Sequence, residues 1–146
     1  MTAPTLPAGP DTTHVREVAF FAADVPDKQT LIDGLRPGVA YHVLSPDGDG
    51  LAEIATHLAE YRDLDALHIV SHGAPGTLYL NNDSVTAGGL ASRADELWAI
   101  RRMLGADAEV LVYGCEVARG PEGIAFLKAL SEHLGSSVHA SSGLVG

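Results

Sequence analysis

The chain has 146 residues, enough for one domain with a hydrophobic core, and 46% of them are hydrophobic and 19% charged. The formal net charge of −10 at pH 7 argues against a nucleic-acid-binding protein and against binding to anionic lipid, since both need a basic surface. No apolar run approaches about 18 residues, so the sequence predicts no membrane insertion. The single cysteine, Cys115, excludes an intrachain disulfide and a multi-cysteine zinc site.

The two ends of the chain differ from the rest in composition. Residues 1–14 are rich in Pro, Thr and Ala and lack an apolar stretch, so they are predicted to form a flexible arm and not a secretory signal peptide. Residues 15–146 are predicted to form a single α/β domain. Because the chain stops after SSGLVG with no closing helix, we expect it to be a fragment or a cut product of a longer protein.

Short apolar runs, typical of strands, alternate along the chain with amphipathic segments, typical of helices. The predicted strands are residues 18–22, 39–44, 66–71, 109–113 and 137–140. The predicted helices are a short one between Pro26 and Pro37, followed by residues 51–58, 90–104 and 121–134. Asn81 and Asn82 mark the turn of a small β-hairpin over residues 77–86.

This alternation predicts an α/β fold, a three-layer sandwich with a mostly parallel central sheet and a small hairpin insertion. The runs at 66–70 and 109–113 are almost continuously apolar, which is typical of central strands buried on both faces. The fifth run, with no strand after it, would leave an exposed edge that could pair with a second copy to form a homodimer.

The residues after the predicted strands are the candidates for chemistry, because sites in open α/β sheets form beyond the carboxyl ends of the strands. His72 follows the third run and Cys115 follows the fourth. If these runs are neighbours, the imidazole and the thiol face each other, since adjacent strands lie about 4.8 Å apart. Asp24 follows the first run, and Ser141 and Ser142 follow the fifth.

The pair formed by His72 and Cys115 is typical of nucleophilic catalysis. A free thiol titrates at about pH 8.5, so it needs a base that takes its proton and later delivers it to a leaving amine. Gly73 and Gly114 flank the pair, and glycine lets backbone N–H groups converge on one point. The amides of Gly73 and Cys115 are therefore the predicted oxyanion hole of an acyl-transfer site.

Structural roles for the same residues stay open at this point. A lone cysteine at a strand end is more often a small core residue, and a lone histidine is more often structural. No metal site is expected, because His68 and His72 do not share a helix face and have no third ligand beside them. The DGDG stretch at 47–50 lacks the spacing of a calcium loop and favours a turn with a helix N-cap. No cofactor is expected, since the chain has neither a dinucleotide-binding glycine motif nor a P-loop.

Three segments, DALHIVSHGAPGTLYL, VLVYGCEVARG and SVHASSGLVG, together resemble an uncharacterised bacterial domain family. That family occurs near the N terminus of giant secreted adhesin-like proteins with cadherin-type or haemolysin-type calcium-binding repeats. The resemblance covers nearly all of residues 16–146. It implies export by a signal-peptide-independent type I route, from the cytoplasm to the cell surface or the medium.

The order of the motifs is also similar to that of the caspase-like cysteine peptidases, in which one strand ends in His-Gly and a later strand ends in the nucleophilic Cys. This resemblance implies a caspase-like layout, related to the flavodoxin-like one, with Cys115 as nucleophile and His72 as base. It implies that Asp24 lines the pocket for a basic residue of a polypeptide substrate, and the serines at 141 and 142 are assigned to substrate binding as well. Glu116 departs from the caspase pattern, and its carboxylate would disfavour the thiolate if it pointed inward.

Two functions from different classes therefore compete. The first is a cysteine endopeptidase that processes its own parent chain. The second is a non-catalytic interaction or anchoring module of an adhesin with the same fold. A flavodoxin-like binder of small ligands is disfavoured, because the first βα loop at 22–30 holds no glycine to cradle a phosphate.

Overall fold

A five-stranded parallel sheet lies at the centre of the molecule, with a three-stranded antiparallel sheet beside it. The computed structural model describes residues 15–26, 28–35, 37–80, 83–114 and 116–141. In this part of the chain the strands are β1 (Glu17–Phe21), β2 (Val39–Val43), β3 (Leu64–Val70), β4 (His72–Ala74), β5 (Thr77–Leu80), β6 (Asp83–Thr86), β7 (Leu104–Tyr113) and β8 (Ser137–Ser141). The helices are α1 (Lys28–Asp33), α2 (Gly50–Leu58), α3 (Ala94–Arg101) and α4 (Gly120–Leu134), with a 3₁₀ helix (Ala87–Arg93) before α3.

The strand order of the central sheet is β2-β1-β3-β7-β8, and every neighbouring pair in it is parallel. The predicted α/β fold with helices flanking a parallel sheet is therefore confirmed. The third and fourth apolar runs became β3 and β7, which are neighbours in the middle of the sheet, as their hydrophobicity predicted. The fifth run, β8, forms an edge of the sheet among the described strands.

One face of the sheet packs against α2, α3 and α4. Phe20, Leu67 and Val112 point into this layer and are fully buried among apolar side chains of the three helices, such as Ile54 and Phe126. Local signals fix the helix ends. The Asp49 side chain accepts a hydrogen bond from the Ala52 N–H at 3.2 Å, which confirms the predicted N-cap of α2. Gly135 ends α4 in the left-handed region, with φ 64°.

On the opposite face of the sheet a second cluster of apolar side chains packs against α1. This cluster holds buried residues of β1 and β3, among them Ala19, Phe21 and Val70, and partly buried Leu31 and Leu35 of the α1 region. No described residue of α1 is itself buried. The helix therefore lies on the sheet without the close packing seen on the other face.

The predicted hairpin is confirmed and belongs to a larger unit. β5 and β6 pair antiparallel, as the hairpin requires, and β4, which the sequence did not predict, adds a third strand. The Ser71 hydroxyl is buried and donates a hydrogen bond to the Tyr79 carbonyl, which ties the end of β3 to β5. The small sheet thereby fixes the direction of the chain immediately after the central strand.

The predicted helix over 90–104 is wrong at both ends. The segment starts as a 3₁₀ helix that Thr86 caps by accepting a hydrogen bond from the Gly89 N–H at 3.2 Å. The α-helix then ends at Arg101, and Leu104 already pairs with Leu64 in the parallel ladder. The ladder outweighs the helical spacing of the apolar residues here, since each buried backbone group in a central strand needs its partner.

Some predictions fall on residues outside the described ranges: the flexible arm at 1–14, the hairpin turn at Asn81 and Asn82, and the end of the chain at 142–146. In the ranges that are described, no helix is long and apolar enough to cross a membrane.

Candidate functional site

The carboxyl ends of β1, β3 and β7 meet at one edge of the central sheet, as the strand order requires. Hydrogen bonds continue the ladder past the strand ends, from the Ala22 N–H to the Val70 carbonyl and from the Ser71 N–H to the Tyr113 carbonyl, both at 2.9 Å. The chain segments that follow these strands therefore start side by side. Three of the predicted site positions, Asp24, His72 and Gly73, lie on these segments.

His72 and Asp24 are in contact. His72 Nε2 lies 3.3 Å from Asp24 Oδ1 and 3.2 Å from the Asp24 carbonyl oxygen. The side chain of His72 is 39% exposed and that of Asp24 is 67% exposed. A histidine–carboxylate contact this exposed contributes little to stability, about 1 kcal/mol at most. The two contacts hold Nε2 of the His72 ring, so the Nδ1 edge of the imidazole faces away from Asp24.

Gly114 brings the end of β7 against the backbone of His72. A Cβ atom at Gly114 would lie 3.2 Å from the His72 carbonyl carbon and 3.3 Å from the Gly73 nitrogen. It would also lie 3.0 Å from a methyl group of Val117. Glycine favours this close approach, because a Cβ atom here would make unusually tight contacts with the peptide between His72 and Gly73.

Cys115 and Ser142 lie outside the described residues, so their predicted roles as nucleophile and substrate-binding residue are not tested. What is described is the chain directly before Cys115: Gly114, the residue that precedes it, contacts the His72–Gly73 peptide. Ser141 is the last residue of β8 and pairs in register with Tyr113, which places its backbone at the same edge of the sheet. Its role in substrate binding stays a prediction.

Glu116 has a definite partner. Its backbone adopts a φ of 60°, in the left-handed region, and its carboxylate accepts a hydrogen bond from Arg119 Nη1 at 2.8 Å. The sequence left open whether this carboxylate points towards the thiol and opposes its ionisation. In the structure the negative charge is directed to a guanidinium group three residues further along the chain.

Residues 18–146 match the family described as Domain of unknown function (DUF4347). The chain belongs to this family. No curated protein and no solved structure matches it. Membership of an uncharacterised domain family is what the three sequence segments predicted, while the adhesin context and the caspase-like likeness stay predictions.

The DUF4347 domain holds a second polar cluster that the sequence analysis missed. His68 Nε2 lies 2.8 Å from Glu17 Oε2, and His68 Nδ1 lies 3.0 Å from the Tyr113 hydroxyl. The three residues come from adjacent strands, β1, β3 and β7, and point to the face that α1 covers. Successive side chains of a strand point to opposite faces of the sheet, and in the observed registers Glu17, His68 and Tyr113 all point to the same face. This alternation is the sequence signal from which the cluster could have been found.

A third cluster lies near the edge strand β2, on the face of the sheet that packs against α2, α3 and α4. The rings of His42 and His57 stack with centroids 4.2 Å apart, and His42 Nε2 lies 2.8 Å from the Tyr61 hydroxyl. Burial lowers the pKa of His42, and the neighbouring His57 lowers it further, although Glu60 acts in the opposite direction. Burial, with a smaller contribution from Glu60, raises the pKa of Tyr61.

None of these clusters resembles a metal centre. Among the residues that the structure describes in the DUF4347 domain, there is no group of three or more His, Cys, Asp or Glu side chains that could hold a metal ion.

Proposed function

We propose that this DUF4347 domain is a cysteine endopeptidase with Cys115 as nucleophile and His72 as general base. One observation carries the proposal. Gly114, the residue before the only cysteine of the chain, packs on the His72–Gly73 peptide, while the imidazole of that same His72 is held by Asp24. A base, its orienting carboxylate and the backbone leading to a thiol therefore meet beyond the ends of neighbouring central strands.

The proposed reaction follows from these groups. His72 takes the proton of the Cys115 thiol, and the sulfur attacks the carbonyl carbon of a peptide bond. The negative charge on the carbonyl oxygen is stabilised by the amides of Gly73 and Cys115. The imidazolium then gives its proton to the departing amine as the C–N bond breaks, which leaves an acyl-enzyme thioester. Water, deprotonated by His72, hydrolyses the thioester and restores the thiol.

Asp24 acts on His72 in this proposal. With Nε2 held by Asp24, Nδ1 is the ring nitrogen assigned to proton transfer, and the contact with Asp24 fixes the orientation of the ring. Because two-thirds of the Asp24 side chain is exposed, it can also face a basic side chain of the substrate, the role that the caspase-like resemblance implies. Ser141 and Ser142 would line the substrate groove at the same edge.

We further propose that the substrate is the parent chain itself, a large secreted adhesin-like protein exported by a type I route. The support is the resemblance of the three quoted segments to domains near the N terminus of such proteins. Substitution Cys115→Ala in the parent protein should then abolish processing, as seen by the loss of cleaved fragments.

The reactivity of the thiol tests the proposal directly, because Cys115 is the single cysteine and any alkylation by iodoacetamide reports on it alone. The rate of alkylation should rise with a midpoint well below the usual pH of about 8.5 in the unmodified chain. In His72→Ala the midpoint should return to about 8.5. Asp24→Asn should shift it part of the way.

His133→Ala is the matched control, since His133 lies in the last turn of α4 and should leave the profile unchanged. Hydrolysis of peptides with a basic residue before the scissile bond should fall at least about 100-fold in His72→Ala. A rate that rises only above pH 8 in the unmodified chain, or a profile that His72→Ala does not change, contradicts the proposal.

The interaction-module alternative is favoured by a different observation. Tyr41 and Val43 lie two residues apart on the edge strand β2, on the same face, and are 48% and 42% exposed. An edge strand with exposed large apolar side chains is a ready surface for another chain. This function predicts slow alkylation at neutral pH, together with self-association in sedimentation velocity that the double substitution Tyr41→Asp, Val43→Asp reduces. The predicted homodimer through the β8 edge would instead survive that change.

A further inference from the structure

The small antiparallel sheet has one buried face and one open face. Leu78, Leu80 and Val85 point to the buried face and belong to the main hydrophobic core. Successive side chains of a strand point to opposite faces, so the residues between these three point the other way. The registers place two cross-strand rows on that open face, and none of their members is buried: His72, Tyr79 and Ser84 in one row, and Ala74, Thr77 and Thr86 in the other.

Tyr79 is the large apolar side chain of this open face, among the residues that the structure describes there, and it is 40% exposed. It lies directly opposite His72 in the ladder, and opposite residues of antiparallel strands have Cβ atoms about 4.5–5.5 Å apart. The Ser71 hydroxyl donates a hydrogen bond to the Tyr79 carbonyl, which holds this part of β5 at the end of β3. The phenol ring is therefore an immediate neighbour of the proposed general base.

The residues on either side of Cys115 contact β4 and the turn that follows it. Gly114 packs on the His72–Gly73 peptide, and the Gly76 N–H donates a hydrogen bond to the Val117 carbonyl at 3.0 Å. His72 is thus the residue that two neighbours share, namely the chain that leads to the thiol and the ring of Tyr79 across the ladder.

The proposed reaction gives this arrangement a direction. The carbonyl carbon of the scissile bond goes to the sulfur, whereas the departing amine receives its proton from His72. The residue that carries this amine is therefore the part of the substrate nearest to the base, and Tyr79 lies beside that base.

We propose that Tyr79 is a specificity-determining residue that selects polypeptides with an apolar residue directly after the scissile bond. The assignment rests on the proposed function, because it needs His72 to protonate the leaving amine. The ring offers apolar surface, and the other neighbours on its face are small and uncharged, so a charged side chain would lose hydration there without gaining a partner. Asp24 meets His72 at Nε2 and is assigned to the basic residue before the bond, so the two residues would select on different sides of it.

Matched peptides that differ only in the residue after the scissile bond test this assignment. All of them carry arginine before the bond, and the residue after it is leucine, glycine, aspartate or lysine. The kcat/KM of the unmodified chain, measured by mass spectrometry of the products, should favour the leucine peptide over the glycine peptide about tenfold, as expected for one partly buried apolar side chain. The aspartate peptide should be cleaved no better than the glycine peptide.

Substitutions at position 79 separate the ring from the strand. Tyr79→Phe keeps the ring and should keep the tenfold ratio, whereas Tyr79→Thr removes the ring with a residue that suits an exposed strand position, so the ratio should fall to about one. Tyr79→Glu should make the lysine peptide a better substrate than the leucine peptide. Trp98→Ala is the matched control, since it removes a 58% exposed aromatic side chain from α3 and should leave the ratio at about tenfold.

A ratio of two kcat/KM values does not depend on the amount of active protein, so a variant that folds only in part still reports on specificity. The assignment of Tyr79 is overturned if the unmodified chain cleaves the leucine and glycine peptides equally well, or if Tyr79→Thr retains the tenfold preference. Either result leaves the proposed endopeptidase intact, because the peptides are still hydrolysed. If no peptide is hydrolysed, the endopeptidase itself is contradicted, and the role of Tyr79 falls with it.

Discussion

The two faces of the central sheet are packed to different degrees. On one face α2, α3 and α4 bury Phe20, Leu67 and Val112 completely. On the other face α1 leaves its own apolar side chains only partly buried, and a cavity of about 300 Å³ that is open to solvent lies between α1 and the sheet. The difference indicates that the first face contributes more of the buried apolar surface that stabilises the fold. His72 and Asp24 lie beyond the carboxyl ends of the strands that these two faces share.

Helix length and capping explain this difference. α1 has six residues, and none of its described residues is buried, whereas α4 has 15 residues and is closed by Gly135 in the left-handed region. A helix of six residues is marginal in water and is held in place mainly by its contacts. The α1 face should therefore open more readily than the other, which a comparison of amide hydrogen exchange in α1 and α4 would show.

The largest expected effect tests the unequal packing directly. Leu67→Ala on the fully packed face should lower the free energy of unfolding by about 3 kcal/mol, because it removes buried methyl groups and leaves a void. Leu31→Ala makes the same chemical change on the α1 face, where the side chain is only partly buried, and should cost about 1 kcal/mol. Urea unfolding of both variants measures the difference. Equal losses would show that the two faces contribute alike.

The second expected effect concerns the joint between α4 and the turn after β7. A Cβ atom on Gly123 would lie 2.1 Å from the Ala118 carbonyl carbon, so Gly123→Ala must displace the backbone of the 116–119 turn. The cost should be about 2–3 kcal/mol in the free energy of unfolding. Gly88→Ala is the matched control, since nothing lies within 4 Å of a Cβ there, and it should be neutral or slightly stabilising.

The Gly123 variant also tests the proposed site. Because the 116–119 turn directly follows Cys115, Gly123→Ala should change the alkylation rate of the thiol in the folded chain, whereas Gly88→Ala should not. An unchanged rate in a destabilised but folded Gly123→Ala protein would show that the turn does not position the thiol.

Local signals in the sequence were enough to predict the sheet and several element ends. The apolar runs predicted which strands are central, the DGDG turn predicted the cap at Asp49, and the His-Gly pair predicted a polar side chain at the end of β3. Each of these signals depends on neighbouring residues only. This is why they survive the formation of tertiary structure.

The features that the sequence did not predict depend on contacts between distant segments. The break between α3 and β7 follows from the pairing of Leu104 with Leu64, which outweighs the helical spacing. The contact of Asp24 with His72 depends on how the loop after β1 folds. The cavity depends on the distance between α1 and the sheet. No run of residues encodes such distances, so only the folded chain reveals them.

A smaller effect is expected at the cap of α2, on the well-packed face. Asp49→Ala should lower the free energy of unfolding by about 1 kcal/mol, since it removes the cap to the Ala52 N–H and the partner of Arg93, whose Nη2 lies 2.7 Å away. Asp49→Asn keeps the cap and loses the charge, so its cost should be only a few tenths of a kcal/mol. Thermal unfolding of the pair separates the two contributions, and equal losses would assign the effect to the ion pair.

The smallest effect is a dependence of stability on pH that arises at the rim of the packed face. The pKa of His42 is lowered in the folded chain, first by burial and then by His57. The unfolded chain therefore binds a proton more readily than the folded chain, and the free energy of unfolding falls as the pH drops below 6.5, the ordinary value. The loss is complete once the pH lies below the lowered pKa of the folded state.

His42→Phe keeps an aromatic ring between Phe20 and His57, but the phenylalanine ring cannot bind a proton. Its free energy of unfolding should accordingly vary less between pH 7 and pH 5 than that of the unmodified chain, although the lost contact with Tyr61 lowers its stability at every pH. An NMR titration of the His42 ring gives its pKa independently. If that pKa is not below 6.5, or if the pH dependence is the same in His42→Phe, the titration of this histidine does not limit the stability of the packed face in acid.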